Sequence, residues 1–113
     1  MRQEYNKLVR SRIPAILGKK GLKYETHTLT TTEYRQALLQ KLMEEAKEVA
    51  EANEAELAVE IADLLEVIDA LMEAYGIDKD EVVLAGEEKR AEKGDFQEQT
   101  QLLWTEENSS DRD

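Results

Sequence analysis

Apolar positions recur with the period of an α-helix along two long segments in the middle of the chain. The first segment carries them at Leu38, Leu42, Val49 and Ala52. The second carries them at Leu57, Ile61, Leu64, Ile68, Leu71 and Tyr75. With each residue advancing about 100° around the axis, both sets stay within about 40° of one line along the helix. The pattern predicts two amphipathic helices, near residues 32–52 and 54–75.

Capping signals define the ends of these two helices. Thr30 with Glu33 fits a capping box before the first helix. Asn53, followed three residues later by Glu56, is an N-cap signal for the second helix, and Gly76 is placed to end it. Because the link between the helices is so short, they are predicted to be antiparallel neighbours.

Shorter elements are predicted on either side of this pair. Pro14 favours the start of a short helix, which Gly21 ends. Residues 23–29 alternate in polarity and are rich in threonine, which favours an extended segment or an edge strand. A further helix is predicted over residues 79–93, where Asp78 and Glu81 supply the capping signal.

Length and composition place the chain in one domain, residues 1–106, with residues 107–113 as a disordered tail. The expected class is all-α, an antiparallel helix bundle with a short extended N-terminal segment. Two long helices leave apolar surface uncovered, so completion by a homodimer or larger homo-oligomer is expected. The sequence shows no apolar run long enough to span a membrane and no signal peptide, so a cytoplasmic location is expected. With no cysteine, disulfides, thiol catalysis and cysteine-bound zinc are excluded.

Charge is unevenly distributed. The net charge is −11, yet residues 1–24 contain seven basic residues and one acid. The acidic remainder disfavours binding to nucleic acid polymers. The basic segment suits a compact polyanion such as a nucleoside triphosphate, and it is equally compatible with a solvated helix face or with pairing to the acidic remainder.

Two pairs of carboxylates lie on or beside the apolar stripes. On the first helix Glu45 falls within about 20° of the stripe and Glu48 at about 80°. On the second, Glu60 lies about 60° from the stripe centre and Asp63 about 120°. The second stripe holds no lysine or arginine, and converging carboxylates without a basic partner are the ligand set of a hard cation, Mg²⁺ or Mn²⁺. The alternative is that these acids flank the core and reach water.

The acids also form a motif. Glu44-Glu45-x-x-Glu48 followed by Glu60-x-x-Asp63 resembles the EExxE…ExxD signature of the MazG-like all-alpha NTP pyrophosphohydrolases. Residues 5–14, YNKLVRSRIP, resemble the YNKLVRDKIP opening of a branch described as phosphoribosyl-ATP pyrophosphohydrolase-like. Residues 89–96 resemble the basic, Gly-Phe-terminated segment that follows the third helix in that branch. Ser11 and Arg12 depart from the usual Asp and Lys of the opening.

The resemblance implies Mg²⁺-dependent hydrolysis of a nucleoside triphosphate to a monophosphate and diphosphate. It assigns the metal ligands to four acids, Glu45, Glu48, Glu60 and Asp63. Glu44 and Glu45 are the candidate catalytic residues, with Glu44 orienting water, acting as base or binding a second ion. On the helical wheel Glu44 points away from Glu45, so a solvated glutamate is the alternative.

Basic residues at both ends of the chain are candidate phosphate ligands: Lys7, Arg10, Arg12, Lys89 and Lys93. Asn6 is a candidate hydrogen-bonding partner for the base or ribose. The last two lysines share a helix face, where stabilising the helix C-terminus is the alternative role. In an oligomer, these groups could also serve a neighbouring subunit's site.

The YNKLVR-type opening suggests a stand-alone branch, and it therefore favours the cleansing of non-standard nucleotides as the function. Three other functions are alternatives. One is hydrolysis of phosphoribosyl-ATP in histidine biosynthesis. Another is a non-catalytic, metal-binding helical dimerisation module. A third, a carboxylate-bridged di-iron bundle, needs histidine in the i, i+3 pairs, and neither pair contains one.

Overall fold

A computed structural model describes residues 1–107 and shows four helices and no strand in that range. The helices are α1 (Ile13–Lys19), α2 (Thr31–Glu51), α3 (Glu54–Ala74) and α4 (Lys79–Lys93). The predicted all-α class is therefore confirmed for the described part of the chain. The predicted disordered tail lies outside the described residues, apart from its first position.

The chain divides into two compact units, one from Met1 to Lys79 and one that begins at Asp80. The first unit contains α1, α2 and α3, and the second contains nearly all of α4 and the irregular segment after it. None of the described helices is both long and apolar enough to cross a membrane.

The predicted capping signals are present at both long helices. The Thr30 hydroxyl accepts a hydrogen bond from the Glu33 amide at 3.2 Å, and the Thr30 amide donates to the Glu33 carboxylate at 3.0 Å. The Asn53 side chain accepts from the Glu56 amide at 2.9 Å. Gly76 follows α3 with a φ of 65°, a left-handed conformation that glycine adopts without a steric penalty.

Helices α2 and α3 pack against each other across the short link formed by residues 52–53. Among the described residues only three are buried: Leu38 at 2% exposure, and Val67 and Glu45 each at 8%. Leu38 and Glu45 lie on the predicted stripe of α2. The small core therefore contains a carboxylate, which requires a compensating partner.

The predicted contact stripe of α3 is only partly correct. Val67, the one buried residue of α3, lies about 80° from the stripe centre, on the same side as Glu60. Leu57, Ile61 and Tyr75 belong to the predicted stripe but remain exposed. Apolar residues cover a wide arc of α3, so periodicity alone did not identify which edge of that arc contacts α2.

Of the two alternatives predicted for residues 23–29, an extended segment or an edge strand, the edge strand is wrong. Residues 22–30 form neither helix nor strand. An edge strand needs a neighbouring strand for its backbone hydrogen bonds, and the described part of the chain contains none.

Candidate metal centre

Three carboxylates from α2 and α3 converge at the contact between these helices. Glu45 comes from α2, and Glu60 and Asp63 come from α3. Each offers one carboxylate oxygen, and the three oxygens lie within 4.8 Å of one another. The i, i+3 spacing places Glu60 and Asp63 on one side of α3, where they face the buried carboxylate of Glu45.

Two carboxylate oxygens in this cluster lack a hydrogen-bond partner. Glu45 Oε2 and Glu60 Oε2 are both buried and unpaired. A buried acceptor without a partner destabilises the fold, whereas a bound cation would satisfy both oxygens. An all-oxygen, carboxylate donor set fits a hard divalent cation such as Mg²⁺ or Mn²⁺. The residues present therefore fit the metal that the sequence predicts.

The electrostatics of the cluster disfavour three simultaneous charges. Burial is the largest cause that raises the pKa of Glu45, and the nearby carboxyl of Glu48 raises it further. Burial followed by the charge of Glu48 also raises the pKa of Glu60. Asp63 acts in the same direction on both groups. Closely spaced like charges of this kind are stabilised by a cation between them.

Glu48, the fourth predicted ligand, lies beside the cluster. Its carboxyl is close enough to raise the pKa of both Glu45 and Glu60, but it is not one of the three whose oxygens lie within 4.8 Å of one another. The structure thus brings all four predicted acids together, three of them closely.

The sequence-based expectation that these acids have no basic partner is wrong in two places. Lys41 Nζ lies 3.8 Å from Glu45 Oε1, one turn earlier on α2. Arg10 Nη2 lies 2.8 Å from Asp63 Oδ1 and donates a hydrogen bond to it. The i, i+4 spacing of Lys41 and Glu45 was visible in the sequence, whereas the pairing of Arg10 joins residues 53 positions apart.

The N-terminal segment supplies a second basic contact at the edge of the cluster. Lys7 Nζ lies 2.6 Å from Glu44 Oε1, which raises the pKa of Lys7 and lowers that of Glu44. Glu44 is therefore held by Lys7 and is not one of the three converging acids. Asn6, immediately before Lys7, has a left-handed φ of 48°.

The remaining predicted phosphate ligands are Arg12 in the first unit and Lys89 and Lys93 in the second. Arg12 is exposed at the start of α1, and no ion pair is observed for it among the described residues. Lys89 and Lys93 share one face of α4, as predicted, where they line a shallow groove with Glu88 and Glu92. Their role in substrate binding remains a prediction.

A family model for phosphoribosyl-ATP pyrophosphohydrolase matches residues 15–90, which is more than half of the chain. The chain belongs to the phosphoribosyl-ATP pyrophosphohydrolase family. This family is part of the MazG-like all-alpha NTP pyrophosphohydrolase superfamily, which confirms the resemblance seen in the sequence. Its members are pyrophosphohydrolases, hydrolases that act on acid anhydrides, and they typically use a divalent metal.

The range matched to the phosphoribosyl-ATP pyrophosphohydrolase family contains all four acids of the cluster. Lys7 and Arg10, which contact Glu44 and Asp63, precede the matched range. No curated protein and no solved structure matches this chain. Family membership identifies an enzyme, so the non-catalytic dimerisation module is not retained as an alternative.

Proposed function

We propose that this chain is a Mg²⁺-dependent nucleoside triphosphate pyrophosphohydrolase that removes non-standard or damaged nucleotides. The reaction converts a nucleoside triphosphate and water to a nucleoside monophosphate and diphosphate, and Mn²⁺ can replace Mg²⁺. The observation that carries this proposal is the convergence of Glu45, Glu60 and Asp63 with two buried, unpaired oxygens. Acid clusters of this composition bind the cations that accompany triphosphates.

Glu45, Glu60 and Asp63 would hold the metal, with Glu48 beside them. When bound, the metal supplies Lewis-acid chemistry, because it neutralises phosphate charge and acidifies water. The α-phosphorus accepts the water oxygen, and the bond from that phosphorus to the bridging oxygen of the diphosphate breaks. Lys7 and Arg10 lie at the edge of the cluster in the same subunit, where their side chains can bind phosphate oxygens.

Glu44 has a narrower role in this proposal than in the sequence-based prediction. Its carboxylate holds Lys7 at 2.6 Å, and its pKa is lowered by that contact. A carboxylate with a lowered pKa is a weaker proton acceptor, so Glu44 is better suited to positioning Lys7 than to acting as a general base.

A second substrate, phosphoribosyl-ATP, is favoured by the description of the matching family. Hydrolysis of that substrate would break the same type of phosphoanhydride bond and release the same diphosphate. The acid cluster serves both substrates equally, because it would act on the triphosphate and not on the base or ribose. Only a comparison of substrates separates the two proposals.

The proposed active form is a homodimer or larger homo-oligomer. Helices α2 and α3 leave large apolar side chains exposed on the first unit, including Leu39, Met43, Ile61 and Leu65. Pairing two copies through these helices would form a four-helix core and cover this surface.

Diphosphate release from a substrate panel tests the proposed reaction. The panel contains standard, deaminated and oxidised nucleoside triphosphates together with phosphoribosyl-ATP, each with Mg²⁺ or Mn²⁺. Glu60→Gln keeps the size of a cluster side chain but removes its charge, and kcat/KM should fall about 100-fold or more. Glu66→Gln is the matched control, because Glu66 is an exposed glutamate of the same helix that lies outside the cluster.

The outcomes discriminate clearly between the proposals. Metal-dependent release that is lost in Glu60→Gln and retained in Glu66→Gln supports the assigned site, and the preferred substrate follows from the panel. Full activity in Glu60→Gln would contradict the assigned site. Activity restricted to phosphoribosyl-ATP would replace the cleansing function with the second candidate.

A further inference from the structure

Arg10 contacts a side chain that a metal ion would also need. Its Nη2 atom lies 2.8 Å from Asp63 Oδ1, and this contact is both a hydrogen bond and an ion pair. Asp63 is one of the three acids whose oxygens converge within 4.8 Å. The guanidinium thus brings a positive charge to one of the three converging acids and occupies one of the two oxygens of that acid.

The segment that carries Arg10 is held on both sides of this contact. Upstream, Lys7 is paired with Glu44 of α2 at 2.6 Å, and Asn6 takes a left-handed conformation just before it. Downstream, the Arg10 carbonyl accepts a hydrogen bond from the Ile13 amide at 3.1 Å, in the turn that leads into α1. The N-terminal segment therefore reaches α2 through Lys7 and α3 through Arg10.

We propose that Arg10 guards the metal centre: it binds Asp63 when no nucleotide is present and transfers to the triphosphate when metal and nucleotide enter together. This inference rests on the proposed function. Both partners of the ion pair are partly exposed, and exposed pairs contribute only about 1 kcal/mol or less, so the contact exchanges readily. A guanidinium forms stronger, bidentate contacts with a phosphate, which favours the transfer.

The transfer of Arg10 from Asp63 to the triphosphate makes metal binding depend on nucleotide. Without nucleotide, a free divalent cation competes with Arg10 for Asp63 and binds weakly. With nucleotide, the same arginine stabilises the bound triphosphate, so metal and nucleotide bind cooperatively. Removing Arg10 should therefore have two effects of opposite sign, because the metal loses a competitor while the nucleotide loses a ligand.

Mn²⁺ titration without nucleotide, by calorimetry or electron paramagnetic resonance, measures the first effect. Arg10→Ala should bind Mn²⁺ about two- to fivefold more tightly than the wild type, the factor expected for loss of an exposed ion pair. Lys23→Ala is the matched control for charge, because Lys23 is an exposed basic residue of the same N-terminal part of the chain, without an ion pair in the described structure and without a proposed role at the site. Its Mn²⁺ affinity should stay within about twofold of the wild type. Circular dichroism checks that both variants fold.

The second effect is measured with an α,β-methylene nucleoside triphosphate, which resists this hydrolysis. In the wild type the analogue should increase Mn²⁺ affinity, and in Arg10→Ala the increase should be about tenfold smaller. If Arg10→Ala binds Mn²⁺ no more tightly than Lys23→Ala, or if the analogue increases Mn²⁺ affinity equally in the wild type and in Arg10→Ala, the proposal for Arg10 is refuted. If wild type and Glu60→Gln bind Mn²⁺ equally, the acid cluster is not the metal site and the proposed function fails as well.

Discussion

Glu45 is the residue at which the demands of folding and of function conflict. It is one of three buried residues at the contact of α2 and α3, and one of its oxygens has no hydrogen-bond partner. Lys41 approaches its other oxygen only to 3.8 Å, a long separation for an ion pair. A carboxylate at this position destabilises the metal-free fold and becomes favourable when a cation binds.

The raised pKa values of Glu45 and Glu60 predict how the stability of the metal-free protein depends on pH. Between the ordinary glutamate pKa and the raised values, the folded state retains protons that the unfolded chain has released. The free energy of unfolding should therefore fall as pH increases through this range and remain lower above it. Chemical denaturation with a chelator present, at a series of pH values, measures this dependence.

Glu45→Gln is the variant that isolates this effect. It should be more stable than the wild type above the raised pKa, and the difference should shrink as pH falls through the range. Glu33 and Glu44, whose pKa values are lowered, affect stability only at lower pH, where their protonation removes favourable contacts. A constant difference between Glu45→Gln and wild type across this range would contradict the prediction.

At the scale of helices, one side chain of α2 stabilises the C-terminus of α3. Arg35 donates hydrogen bonds from Nε and Nη2 to the Ala74 carbonyl, at 3.2 and 2.9 Å. Its guanidinium also lies 4.6 Å from the centre of the Tyr75 ring. A positive charge at this end of a helix is favourable, and so is its contact with an aromatic face.

Arg35→Ala should reduce the free energy of unfolding by about 1–2 kcal/mol, because it removes the cap and the aromatic contact together. Arg35→Lys, which keeps the charge but not the paired donors, should recover part of this loss. Thermal or chemical denaturation of both variants measures the difference. Equal stability of Arg35→Ala and wild type would show that the contact contributes nothing.

The ends of the helices could be predicted from the sequence because their signals are local. Thr30 with Glu33, Asn53 and Gly76 act within a few residues, and each capping or terminating feature is present in the structure. The predicted strand at residues 23–29 failed for the opposite reason, since a strand depends on a distant partner that local alternation does not reveal.

The acid cluster was predictable to the same extent as the helices that carry it. Spacing within each helix and the short link placed the acids of α2 near those of α3, and the structure brings them together. The contact of Arg10 with Asp63 could not be read from periodicity, because no helix or turn relates residues so far apart in sequence. Which edge of α3 faces α2 also required the three-dimensional arrangement.

For the whole molecule, the apolar residues that the α2–α3 contact leaves exposed suggest how copies pair. Leu39 and Met43 lie about 100–140° around α2 from Leu38. Ile61 and Leu65 lie about 100–140° around α3 from Glu60, counted in the same direction along the chain. The contact faces of the two antiparallel helices point toward each other. Equal rotations away from these faces, each counted from the N-terminus to the C-terminus of its helix, place the four apolar residues on one side of the helix pair. A second copy could cover this side without covering the acid cluster.

Leu65→Glu should therefore dissociate the proposed homodimer, because pairing would bury an uncompensated carboxylate at a cost of several kcal/mol. Sedimentation equilibrium should give about twice the chain mass of 12.9 kDa for the wild type and the single mass for the variant. Val59→Glu is the control, because it makes the same kind of change on the other side of the helix pair. The exposed fraction of Val59 is 63%, compared with 54% for Leu65, and the Val59→Glu variant should remain dimeric. A wild type that sediments as a monomer, or a variant pair that behaves alike, would show that this side of the helices is not the interface.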